Sequence, residues 1–168
     1  MDEKELLHII LAILVLAIVI GFQSLIEFNT VTFGLAILFA FIIIVVNIGA
    51  KKAMANYLDA DIEHSLWYWQ RYGFKPGWHL EKPIPLGLIL PLVIIAFSLG
   101  IVKVMTILTY DTKALKRRAA RKLGYYSFTE MTDWHNALIG GAGIIAMLVL
   151  SFITYWIPGS EFLARMAA

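Results

Sequence analysis

Asn47 and Lys51 stand four residues apart at the end of an apolar run, Phe28 to Ala50, that carries no charge and stops at Lys51-Lys52. On a helix this spacing puts an amide and an ammonium on one face. Such a pair could form a polar contact inside a cleft, with an acid supplied by another segment. In the other reading Lys51 runs its alkyl stem to a membrane surface and Asn47 bonds to a neighbouring backbone.

Other residues carry weaker signals. Asp59, Asp61 and Glu63 alternate, so they would share one face of a short strand. Oxygen ligands suit hard cations, but the same acids could be a solvated edge or pair with basic residues. His64, His79 and His135 show no HxH or HxxxH spacing. Lys113, Lys116, Arg117, Arg118, Arg121 and Lys122 put six positive charges in ten residues. They would set topology or attract anionic lipid headgroups. Gly140, Gly141 and Gly143 would let a second helix approach closely, within the chain or at a subunit interface. With no cysteine, disulfides, thiolate metal sites and cysteine nucleophiles are excluded. No P-loop, GxGxxG, haem-attachment motif or Ser-His-Asp order is present.

The elements that must position these groups follow from hydropathy. The chain has 168 residues, 60% hydrophobic and 15% charged. Soluble domains average roughly 25% charged residues, so most of this surface faces lipid or other apolar groups. The net charge of +2 argues against a nucleic-acid partner. Four apolar segments are predicted: Leu6–Ile26, Val31–Met54, Pro83–Thr109 and His135–Ile157. The first, plain Leu/Ile/Val/Ala, reads as a retained, lipid-facing anchor. The Asn29-Thr30 turn makes it an antiparallel partner of the second. Between Lys51 and Lys82 lie Trp67, Tyr68, Trp69, Tyr72, Phe74 and Trp78, an aromatic group suited to the headgroup level. Ser127 and Glu130 have capping-box spacing, which predicts a helix starting there and running into the last span.

Charge then constrains topology. Short basic loops stay cytoplasmic. If Pro83–Thr109 crossed the membrane, the two basic regions would lie on opposite sides. Pro83, Pro85, Pro91, Gly100 and Lys103 interrupt that segment, and broken backbone is tolerated in a membrane only against protein or water. The expected fold is an all-α polytopic membrane protein. It has three spanning helices, a re-entrant or broken hairpin and a short β element after the second span; four full spans are the alternative. The N-terminus and basic loops would be cytoplasmic. Residues 1–30 form the anchor, 31–157 the core and 158–168 a tail.

Residues 31 to 157 resemble, in order and spacing, the site-2 protease family of intramembrane zinc metalloproteases, in particular its small archaeal-type members. That family has a span ending in HExxH, a segment like "ARRYGCDAEF", an aromatic stretch, a Pro/Gly-rich membrane hairpin and a helix bearing "ALIALAGPLAN". Here the matching stretches are Val46-Asn47-Ile48-Gly49-Ala50-Lys51-Lys52, Ala55 to Glu63, Lys82-Pro83-Ile84-Pro85-Leu86-Gly87 and Ala137 to Met147.

The departures concern the chemistry. In the family two histidines one turn apart bind zinc and the adjacent glutamate activates water. The matching positions hold Asn47, Lys51 and, for the glutamate, Ile48. An ammonium has no lone pair for a metal, and an isoleucine takes no proton. The proline and asparagine of the AGPxAN-like motif become Ile144 and Met147. No NxxPxxxLDG segment, which carries the family's third ligand, follows. The resemblance implies a pseudoprotease, or a piece of one, with zinc lost. Such a protein would bind transmembrane segments or serve as a subunit beside another membrane protein, with membrane lipids around it. The alternative is a metalloprotease with relocated or partner-supplied ligands.

Overall fold

The computed structural model describes residues 3–70, 83–105, 107–115 and 131–156. The chain is mostly helical with one small sheet. In order the elements are α1 (Glu3–Ile20), α2 (Phe22–Ile26), α3 (Thr30–Tyr57), β1 (Ala60–Leu66), α4 (Leu86–Phe97), β2 (Leu108–Ala114) and α5 (Asp133–Tyr155). Helices α3 and α5 are long and apolar enough to cross a bilayer. Helix α1 has 18 residues but opens with Glu3, Lys4 and Glu5, so its uncharged length falls short. The contacts divide the chain into two compact units, Met1–Ala40 with His64–Thr109, and Phe41–Glu63 with Tyr110–Ala168.

In the first unit α1 packs on α4. The segment predicted as a plain lipid-facing anchor is neither plain nor one helix. Ala12, Val15, Leu16, Ala17, Val19 and Ile20 are buried, and the helix gives way at Gly21 to the short α2. A methyl group on Gly21 would come within 2.7 Å of the Phe33 ring and 3.0 Å of Ala36 Cβ. The glycine therefore lets α1 and the start of α3 meet closely. At the turn between them the Asn29 side chain accepts a hydrogen bond from the Thr32 amide, 3.2 Å, the usual N-cap device.

Pro83–Thr109 is a hairpin. Helix α4 spans roughly 18 Å at 1.5 Å per residue, too short to cross a hydrocarbon core of about 30 Å. Its buried residues Gly87, Pro91 and Ile95 recur every four positions and make one stripe. Pro91 sits inside the helix without ending it. The break falls at Ser98–Gly100, where Leu99 (φ 49) and Gly100 (φ 87) are left-handed. Gly100 N–H donates to the Ile95 carbonyl and Leu99 N–H to that of Ala96, the paired bonds of a Schellman stop. The Ser98 hydroxyl then accepts from the Val102 amide at 3.2 Å.

Both ends of the hairpin return to one residue. The Gly87 amide donates to the Trp67 carbonyl at 2.9 Å, and the Trp67 amide donates to the Ile107 carbonyl at 3.1 Å. Trp69 and Ile84 exchange a second antiparallel pair of bonds, both 2.9 Å. The last two residues of the expected apolar segment, Leu108 and Thr109, belong instead to β2. This strand was not anticipated. It pairs antiparallel with β1, and the Ser65 and Thr109 hydroxyls lie 3.2 Å apart.

In the second unit a small core of Ala55, Ala60, Ile62 and Ile139, with Met54, Leu58, Tyr110 and Met131 against it, ties the end of α3 to the sheet and α5. Asp59 (φ 52) makes the corner between α3 and β1 and is buried. It does not extend the acidic face, which consists of Asp61 and Glu63 opposite buried Ala60 and Ile62. Helix α5 begins at Asp133 after an extended Thr132, so the helix expected to run unbroken from Ser127 does not. Residues 127–130, and the expected short helix ending at Gly124, lie outside the described residues.

Gly87 generates a prediction. Its Cβ would fall 2.4 Å from the Ile107 carbonyl oxygen, a backbone atom that cannot swing aside. Gly141 has nothing within 4 Å. Gly87→Val should lower the thermal midpoint of the detergent-solubilised protein markedly, while Gly141→Val leaves it near the wild-type value. Equal midpoints for the two variants would refute the tie at Trp67.

Candidate functional site

The second unit gathers Asn47, Lys51, Tyr110, Thr112 and Asn136. Asn47 and Lys51, one turn apart on α3, both face Gly143 of α5. A Cβ on Gly143 would lie 2.7 Å from Lys51 Cε, 3.2 Å from Lys51 Cγ and 3.4 Å from Asn47 Nδ2. The missing side chain is what lets the lysine stem cross the helix. Deeper toward the sheet, Ile139 meets Ala55, so the two helices run antiparallel. Gly140 faces β2: its Cβ would be 2.8 Å from the Tyr110 hydroxyl. Gly141 faces open space.

The Lys51 ammonium lies 4.9 Å from the centre of the Tyr110 ring. An ammonium above a ring face is drawn by its quadrupole, by about 0.5–2 kcal/mol depending on desolvation. The ring is held from behind. Tyr110 OH donates to the Asn136 carbonyl at 3.0 Å, and Thr112 Oγ1 donates to Asn136 Oδ1 at 2.6 Å. Tyr110 and Thr112 alternate on the inner face of β2, which is why one asparagine on the first turn of α5 can reach both. The aligned position Ile48 is half-buried and offers only alkyl surface. The cluster can recognise a polar or anionic group. It has no general base and no metal-ligand set at positions 47, 48 and 51.

Among the described residues the Asn47 side chain has no hydrogen-bond partner. Of the basic cluster, Lys113 stands on β2 and donates to Glu63 at 2.6 Å, with both side chains exposed. That matches the bland reading of the acidic strand as a partner for basic residues. Lys116, Arg117, Arg118, Arg121, Lys122 and His79 lie outside the described residues. His135 is engaged by the Thr132 hydroxyl at the start of α5. Among the described residues no three His, Cys, Asp or Glu converge.

The first unit holds a pair that sequence reasoning missed. His64, 3% exposed, has Nδ1 and its backbone N–H each 3.4 Å from Oε1 of Glu5, itself 6% exposed. A signal existed for the histidine: the period of two that points Asp61 and Glu63 outward points Ile62, His64 and Leu66 inward. None existed for Glu5. It falls on the α1 face of Ala12, Leu16 and Val19, but α1 is apolar all round, so no face could be picked out.

Removing one member of a buried pair takes a polar contact from the other. His64→Leu should destabilise the protein by about 3 kcal/mol, and adding Glu5→Leu should restore most of the loss. Chemical unfolding in micelles gives both values, and a double variant no more stable than the single would show that the pair is not coupled.

Comparison with protein-family models, with curated proteins and with solved structures finds no match to this chain.

Proposed function

We propose that this protein is an integral membrane pseudoprotease, which keeps the scaffold of a site-2-type intramembrane metalloprotease without its reaction and holds transmembrane segments in the former cleft. The observation that carries the reading is the meeting of Asn47 and Lys51 with Gly143. These are the two positions that match the family's zinc-binding histidines and the glycine of the AGPxAN-like motif, and they come together in one unit. An amide, an alkyl chain and an ammonium neither bind zinc nor activate water, so the cleft is left with recognition.

In this reading α1 continued by α2 (Leu6–Ile26), α3 and α5 are the three spans, the hairpin enters and leaves on one side, and the N-terminus and both basic regions are cytoplasmic. Closure of the hairpin at Trp67 supports this arrangement. So does α5, which carries exposed Trp134 at one end and exposed Tyr155 and Trp156 at the other. The two tryptophans are about 33 Å apart along the axis, the separation of two interfacial belts.

Two measurements test the proposal. The chain has no native cysteine, so Lys75→Cys and Arg118→Cys can each be probed alone in intact vesicles. Both should label from the same face, and labelling from opposite faces would overturn the hairpin topology. The purified protein in nanodiscs should bind synthetic transmembrane helices without cleaving them and contain far less than one zinc per chain. Cleavage that is lost in Asn47→Ala, or stoichiometric zinc, would instead make it an enzyme with relocated or partner-supplied ligands.

A further inference from the structure

The site at Asn47 and Lys51 is chemically incomplete, and the missing part has a definite sign. Among the described residues the Lys51 ammonium has the Tyr110 ring as its charge-directed contact, and no carboxylate reaches it. Glu63 is committed to Lys113 on the outer face of the sheet. The Tyr110 hydroxyl donates to the Asn136 carbonyl. One turn earlier on α3, the Asn47 side-chain amide also lacks a hydrogen-bond partner among the described residues.

Both groups face α5 inward of its exposed Trp134. Gly143, which they face, is nine residues beyond the exposed Trp134, roughly 14 Å along the helix axis. At that depth an ammonium without a counter-charge is costly, and intramembrane charges are matched by one another or by a ligand. A ring face offers an ammonium a weak partial negative charge, and an amide offers a donor and an acceptor. A carboxylate placed between them would meet the cation and accept from Asn47 Nδ2. Neutral or cationic occupants would leave the cation unmatched.

Resting on the reading that this cleft holds transmembrane segments, we infer that it selects those with an Asp or Glu near mid-span, whose carboxylate pairs with Lys51 and accepts a hydrogen bond from Asn47. The test uses a Leu/Ala helix of about 22 residues with a single Asp, Asn or Leu roughly nine residues from one end, and measures its binding to the full chain in phosphatidylcholine nanodiscs by energy transfer. The Asp peptide should bind the wild-type protein at least about tenfold more tightly than the Asn peptide, because a desolvated charge pair is disrupted when one partner becomes neutral. Lys51→Met should abolish that preference. Lys51→Arg should retain it. Equal binding of the three peptides to the wild-type protein, or a preference that survives Lys51→Met, would overturn the inference while leaving the segment-binding reading intact. Failure of every peptide to bind would overturn both. If Lys51→Met abolished co-purification of anionic lipid without changing any peptide affinity, the counter-charge would be a lipid phosphate and the inference would fail.

Discussion

Everything in the first unit hangs on the backbone of Trp67, whose carbonyl and amide are each claimed by an opposite end of the same hairpin. Buried backbone must satisfy its own N–H and C=O groups, since each one left unpaired costs several kcal/mol. A segment with prolines at its start and a left-handed stop in the middle cannot do so as one long helix. It does so by closing on itself. The closure is possible because Gly87 has no side chain to hold α4 away from the Ile107 carbonyl. The same exchange of bonds starts the pairing of β1 with β2, so the hairpin and the sheet are one hydrogen-bonding system.

In the second unit the sheet orients a polar cluster in the same economical way. Alternation on β2 turns Tyr110 and Thr112 toward Asn136 and leaves Lys113 on the exposed face with Glu63. The ring fixed in this way carries the ammonium of Lys51. Glycine again sets the distance, here Gly143 beneath the lysine stem. Close approach of main chains and placement of polar side chains are thus two results of the same residue choice.

The ionisable groups inside the two units differ in kind. Glu5 and His64 are buried and meet each other, so they contribute to structure. Lys51 is half-buried, with its stem across Gly143 and, among the described residues, its ammonium over the Tyr110 ring.

Much was legible in the residues alone, and the limits are physical. Uninterrupted apolar length determined α3 and α5, because only backbone closed on itself can lie in hydrocarbon for that distance. Proline and glycine placement determined that Pro83–Thr109 is broken, and alternation determined β1. Spacing put Asn47 and Lys51 on one face. Pattern could not choose the point of the break, which falls at Leu99-Gly100 and not at Pro91, since a proline inside a helix is tolerated once packing holds the stripe Gly87, Pro91, Ile95. Nor could it find β2, whose partner lies some 45 residues earlier in the chain. The pairing of Glu5 with His64 and the seating of Lys51 between Gly143 and Tyr110 were decided only by tertiary structure. A side chain's type and period say which way it points along its own element, but its partner comes from another, and local sequence carries no information on that meeting.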